Sequence, residues 1–439
     1  MQKRAGLLLF GWLAGPFVAS AQVIPVGSEF QVNTYTTADQ FQADVCKAPD
    51  GRFVVVFQSA GNDGDEYGVF GQRYASDGST LGTEFQINTY TRGEQAGPQV
   101  CCDAGGNFVV TWESIGQDGS GDGIFGQRFA SDGTRRGTEF LVNTYTRDAQ
   151  SDAHICCAQD GDFVVVWSSY GQDGDSLGVF GQRFASDGDL LGKEFQVNTY
   201  THHSQDDAAI CCDKAGDFVV VWESLTEDGS DQGVFGQRFA GNGTPRGTEF
   251  QVNTYTSLSQ NYPAICCTGD GSFVVVWDSA DGSGHGIFGQ RFASDGLPSG
   301  QQFQANTFTS SEQRDASICC GPNGDFVVTW QSERKDGSEF GIVGRHFNAG
   351  GGAMPEFQVN TYTSLDQTYP AVACDSKGNF VVVWTSDRQD GSREGVFGQR
   401  FELLGVVTSP VMSFAGLVVV VASLFGCGLM ALRRRARRP

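Results

Sequence analysis

Cysteine is the residue whose placement in this chain points most directly to chemistry. Twelve of the 13 cysteines fall in two adjacent positions of a recurring unit. The first position holds Cys46, Cys101, Cys156, Cys211, Cys266 and Cys319, and is Ala373 in the last copy. The second holds Cys102, Cys157, Cys212, Cys267, Cys320 and Cys374, and is Lys47 in the first copy. The remaining cysteine, Cys427, lies in an apolar C-terminal stretch. Neighbours on a strand point to opposite faces, so each unit shows one thiol forward and one backward. If each first position meets the second position of the following unit, the pairs are Cys46–Cys102, Cys101–Cys157, Cys156–Cys212, Cys211–Cys267, Cys266–Cys320 and Cys319–Cys374. All twelve are then used, and the two positions without cysteine, Ala373 and Lys47, fall opposite each other. The reverse pairing strands Cys101 against Lys47 and Cys320 against Ala373. Three other outcomes stay open at this stage: bridges between adjacent residues, a thiolate metal site, and free thiols.

Aspartate is the next candidate. Asp63, Asp65, Asp118, Asp122, Asp173, Asp175, Asp228 and Asp231 recur in Asp-Gly loops. Closely spaced carboxylates separated by glycine can wrap Ca²⁺, and the same residues also make turns with solvated acids. No other cofactor is indicated. A glutamine recurs after each Asn-Thr-Tyr phrase, at Gln40, Gln95, Gln150, Gln205, Gln260, Gln313 and Gln367. These are candidates for a ligand-contacting rim, or for side-chain bonds that hold the loop. Arg73, Arg128, Arg183, Arg238, Arg291 and Arg400 are expected to pair with carboxylates. There is no Gly-x-Ser-x-Gly elbow, phosphate loop or His-Glu-x-x-His. The departures from the repeat that stand out are His202-His203, His285, Glu333-Arg334-Lys335 and Arg345-His346, scattered over three units.

The elements that must position these residues follow from the repeat itself. Glu-Phe-Gln-Val-Asn-Thr-Tyr or a variant begins at Glu29, Glu84, Glu139, Glu194, Glu249, Gln302 and Glu356, a spacing of 53 to 55 residues. Each copy carries four strand signals separated by turn residues. In the second copy these are Gln99–Cys102, Phe108–Trp112, Ile124–Phe129 and Glu139–Tyr145. The second strand, usually Phe-Val-Val-Val-Trp, is apolar on both faces, as a strand sandwiched between two sheets must be. Seven such units predict an all-β, seven-bladed propeller over 22–405. The chain opens with a lone fourth strand and ends with the first three, so the N-terminal strand can complete the last blade and shut the ring. An open stack of the same sheets is the alternative.

The order of apolar strand, Asp/Gly turn, Phe-Val-Val-Val-Trp and Asp-Gly loop resembles blades of NHL-type propellers and repeats of secreted bacterial surface proteins. That resemblance implies fold and location and supplies no catalytic residues. Residues 1–21 read as a secretory signal: Lys3 and Arg4, an apolar core, then Ala19-Ser20-Ala21. Residues 406–439 hold an uncharged run, Val411–Leu432, followed by five arginines. This predicts one transmembrane helix with a basic cytoplasmic tail, and it resembles a PEP-CTERM-type sorting end.

The net charge is −22; the two arginine- and lysine-bearing ends hold no acids, so residues 22–405 carry −29. Such a surface repels nucleic acid. The composite expectation is an exported, membrane-tethered scaffold on the outer face of a bacterial membrane, binding an extracellular protein or glycan, as in adhesion. The alternatives are a polysaccharide hydrolase or lyase with its site in the central channel, and a purely structural envelope protein.

Overall fold

The computed structural model describes residues 22–404 apart from 281 and 283. The signal at 1–21 and the helix expected within 406–439 lie outside the described residues. Among the described residues no helix is long and apolar enough to cross a membrane. Residues Val23–Glu402 form one compact unit.

That unit is a seven-bladed β-propeller of four-stranded antiparallel sheets. In the second blade the strands, from the axis outward, are Gln95–Cys102, Phe108–Ile115, Asp122–Phe129 and Arg135–Leu141. The last blade combines Gln367–Cys374, Phe380–Asp387 and Glu394–Leu404 with the N-terminal strand Gln22–Gln31. The ring therefore closes as the terminal strands imply.

All four strands of the second blade extend beyond the sequence expectation at one end, and the outer one also stops short at the other. The outer strand of the second blade stops at Leu141 rather than Tyr145. Asn143 replaces the ladder there: its Oδ1 accepts Ile124 N–H at 2.8 Å and its Nδ2 donates to Tyr145 O. The inner strand starts at Gln95, four residues early, because a bulge between Ala96 and Gln99 carries the pairing past a left-handed residue.

Packing between blades explains the second strand. One face of Phe163–Tyr170 gives Val165 and Trp167 to the core shared with the second blade, and the other gives Val164 and Val166 to the core shared with the fourth. Both faces are thus buried against neighbouring sheets. The recurring Phe-Gly-Gln-Arg has an equally specific reason. A Cβ on Gly126 would lie 2.7 Å from the Phe140 ring, which the outer strand lays over it. Arg128 donates to the Ser186 carbonyl of the following blade at 2.9 Å, and Arg73 to that of Ser131 at 3.1 Å. The expected carboxylate partners of these arginines are replaced by backbone carbonyls, since each guanidinium meets the tip of the next blade's outer turn.

The glutamate of each phrase also reaches sideways. Glu84 accepts from Thr34 N–H at 2.6 Å, and the contact repeats around the ring to Glu29, which accepts from Thr361.

The six neighbour-to-neighbour bridges are present, with Cα–Cα distances between 5.4 and 5.7 Å. Because the two cysteines of a blade are adjacent in sequence, bridges and peptide bonds join into one covalent hoop around the axis. The hoop is open at one junction. There Lys47 bonds Asp375 at 3.2 Å, both side chains being buried, and donates to Asn379 O at 3.2 Å.

Candidate ligand site at the channel mouth

The inner strands line the central channel, a cavity of about 630 Å³. The third residue of every inner strand lies at its mouth in the left-handed region: Gln42, Gly97, Asp152, Asp207, Tyr262, Asp315 and Tyr369, with φ from 47° to 58°. Six of these seven are not glycine, and held left-handed residues of that kind gather at ligand sites. The bulge turns the residue out of the strand register and re-aims its side chain.

The backbone N–H of most of these residues is held by the preceding blade. The acceptor is the sixth residue of that blade's second strand. Gln58 accepts from Gly97 at 3.0 Å, Glu113 from Asp152 at 2.6 Å, Asp278 from Asp315 at 3.1 Å and Gln331 from Tyr369 at 3.1 Å. Glu223 takes the same role toward Tyr262 N–H. Where the side chain is short, at Ser168 and Thr385, its buried oxygen has no partner. The repeat is otherwise nearly uniform, and these two rings are where the blades differ.

The differences give the mouth its chemistry. Asp206, Asp207 and Glu223 place carboxylate oxygens within 4.8 Å of one another. Burial, reinforced by Asp152, pushes the Glu113 carboxyl up to about 8. Glu223 is also raised, first by burial and then by Asp207, and Asp207 is raised by burial and then by Asp152 and Asp206. Asp278 is fully buried and raised well above the ordinary range, with Asp315 as the charged neighbour. Tyr262 and Tyr369 are about half exposed, at 47% and 48%. The Tyr262 hydroxyl is raised by partial burial and then by the carboxylates, Asp207 first, and Asp152, Asp207 and Asp315 line the same cavity as Tyr262. Arg314 is tied to Glu312 at 2.9 Å, and His285 bonds the same carboxylate at 2.8 Å.

The sequence-derived candidates fall elsewhere. The seven glutamines are fully buried rather than presented on a rim. In Gln95, Oε1 accepts from Asn88 Nδ2 at 2.9 Å and Nε2 donates to Arg92 O at 3.0 Å, so the amide is consumed holding the connection into the inner strand. In the aspartate loops, Asp63, Asp118, Asp173 and Asp228 use Oδ1 to accept the N–H two residues on, at 2.9 to 3.2 Å. Asp65 and Asp175 accept from Gly93 and His203 N–H on the next connection, at 3.2 and 3.0 Å. Asp122 begins a strand, and Asp231 follows its loop. Among the described residues the one carboxylate trio close enough to share an ion is that of Asp206, Asp207 and Glu223, in none of these loops. The channel-mouth residues carry no motif of their own in the sequence. The usable signal was variation at one register position of an otherwise constant repeat.

Neither protein-family models nor curated proteins give a match. Among solved structures, one is a protein of unknown function from Dyadobacter fermentans, 13% identical, with a TM-score of 0.53, covering 87% of this chain and 99% of that one. The β-propeller domain of the Trilobed protease from Pyrococcus furiosus is 8% identical, with a TM-score of 0.46 and the same coverage of 87% and 99%. A Hadza microbial sialidase, Hz136, is 9% identical, with a TM-score of 0.43, covering 88% and 95%. The first of these likenesses speaks for the fold alone.

Proposed function

We propose that this protein is an exported binding module that holds a saccharide in the channel mouth. The observation that carries the reading is the pairing, at one rim, of two half-exposed tyrosines with a set of carboxylates that departs from the repeat. An aromatic face packs on the C–H face of a sugar ring, and carboxyl groups accept or donate hydrogen bonds to its hydroxyls. The hoop of disulfides fits an oxidising compartment and keeps the ring of contacts rigid, which lowers the ordering cost of binding. Residues 1–21 as export signal and 406–439 as membrane anchor complete the reading. The last strand runs from the mouth side toward Leu404, so the chain leaves the propeller on the opposite face.

A glycan array tests this with the wild type and with Tyr262→Ala/Tyr369→Ala. Specific binding that the double variant loses is expected; binding untouched by it, or none, refutes the reading. A second reading is hydrolysis of the same ligand. It is favoured by the clustering of the Asp206, Asp207 and Glu223 carboxyls, whose oxygens all lie within 4.8 Å of one another. Release of reducing ends from array hits distinguishes the two.

A further inference from the structure

We infer that the saccharide held at the mouth is cationic: a sugar chain bearing free amino groups, such as oligomers of glucosamine. The inference rests on the saccharide reading and adds the ligand's class.

Five carboxylates line the cavity, from Asp44, Glu113, Asp152, Asp207 and Asp315, and no lysine or arginine does. Arg314, beside Asp315 in sequence, is already paired with Glu312. Independent of the lining, Asp278 lies behind Asp315 with 1% of its surface exposed. Its Oδ2 accepts from Asp315 N–H, and its Oδ1 has no partner. A neutral sugar donates only hydroxyls and leaves the excess negative charge unbalanced, whereas an ammonium supplies three donors and the missing charge.

The tyrosines fit the same ligand. An ammonium over an aromatic face is attracted to it, and Tyr262 and Tyr369 line the same cavity as Asp152, Asp207 and Asp315. Long-range steering acts in the same direction, since residues 22–405 carry −29. Burial raises Glu113 to about 8, and a bound ammonium would favour its ionised form.

The test is titration calorimetry of the folded propeller with two probes of equal length, a glucosamine tetramer and an N-acetylglucosamine tetramer. The amine form should bind at least about tenfold more tightly. Asp207→Asn/Asp315→Asn should bring the two affinities within about threefold, while Tyr262→Ala/Tyr369→Ala should weaken both, the amine form more. Thermal melts establish that each variant folds. Equal affinities in the wild type, or a preference for the acetylated form, overturn the amine assignment and leave the saccharide reading standing. Binding of neither tetramer, with no hit on the array, overturns both. If calcium alone at millimolar concentration raises the melting temperature and blocks the amine probe in wild type but not in Asp207→Asn, the mouth is a metal site and the amine assignment falls.

Discussion

Closing the hoop should stabilise the ring by a calculable amount. Lys47 and Ala373 occupy the two places that hold bridged cysteines at the other six junctions, where Cα atoms stand 5.4 to 5.7 Å apart. Lys47→Cys/Ala373→Cys should therefore form a seventh bridge. In sequence the two positions are far apart, but the covalent path through existing bridges is short, passing only through the two adjacent cysteine positions of each blade. A loop of about 15 residues corresponds to roughly 3 kcal/mol of closure entropy. The substitution also removes the buried Lys47–Asp375 pair, and leaving Asp375 alone costs a comparable amount. The comparison that isolates the bridge is therefore with Lys47→Ser/Ala373→Ser, which loses the same ion pair. At about 2.1 cal/mol/K per residue over roughly 380 residues, 3 kcal/mol corresponds to a rise in Tm of about 4 °C. Calorimetry under non-reducing conditions reads the difference, and intact mass reads loss of two hydrogens. Free thiols at both positions would show that the first and last blades do not meet as the other junctions do. A formed bridge with no gain would refute the short-path argument.

Two further outcomes follow from the mouth and the blade packing. Glu113 has a folded-state pKa of about 8, above its unfolded value, so the folded state binds the extra proton: stability from this group is present below the ordinary carboxyl range and is lost as pH rises through 8. Glu113→Gln should flatten that fall and raise Tm at pH 9 relative to wild type, because Gln58 and Gln331 already do the same work in other blades; a wild type equally stable at pH 5 and pH 9 contradicts it. Gly126→Ala should cost about 1–3 kcal/mol in a denaturant melt, since the new methyl meets the Phe140 ring at 2.7 Å, and an unchanged midpoint contradicts that packing.

Most of the fold was legible because the repeat states it seven times. The double apolar face of Phe163–Tyr170 announces a strand between two sheets, and the vacant cysteine positions at Lys47 and Ala373 single out the pairing direction. Strand ends were less legible. The outer strand stops at Leu141 because Asn143 competes for its ladder bonds, and an asparagine's side-chain choice depends on neighbours that a linear pattern does not contain.

The site was the least legible part. Asp152 or Tyr262 reads as an ordinary strand residue until a bulge sets it left-handed and turns it into the channel. Glu113 and Glu223 sit in strands whose alternation assigns them a face but not a partner; their function depends on the blade that follows. The aspartate loops are conspicuous by composition, yet Oδ1 of Asp63 and of Asp173 is spent on its own turn.

The central claim is that ligand binds where Tyr262, Tyr369 and the carboxylates converge. A crystal of the propeller soaked with glucosamine tetramer tests it directly. The account predicts sugar density in the mouth, with a ring face against one of the two tyrosines and an amino group within hydrogen-bond distance of Asp207, Glu223 or Asp315. Density confined to the Asp-Gly loops or the outer rim, with the mouth filled only by water, would contradict it.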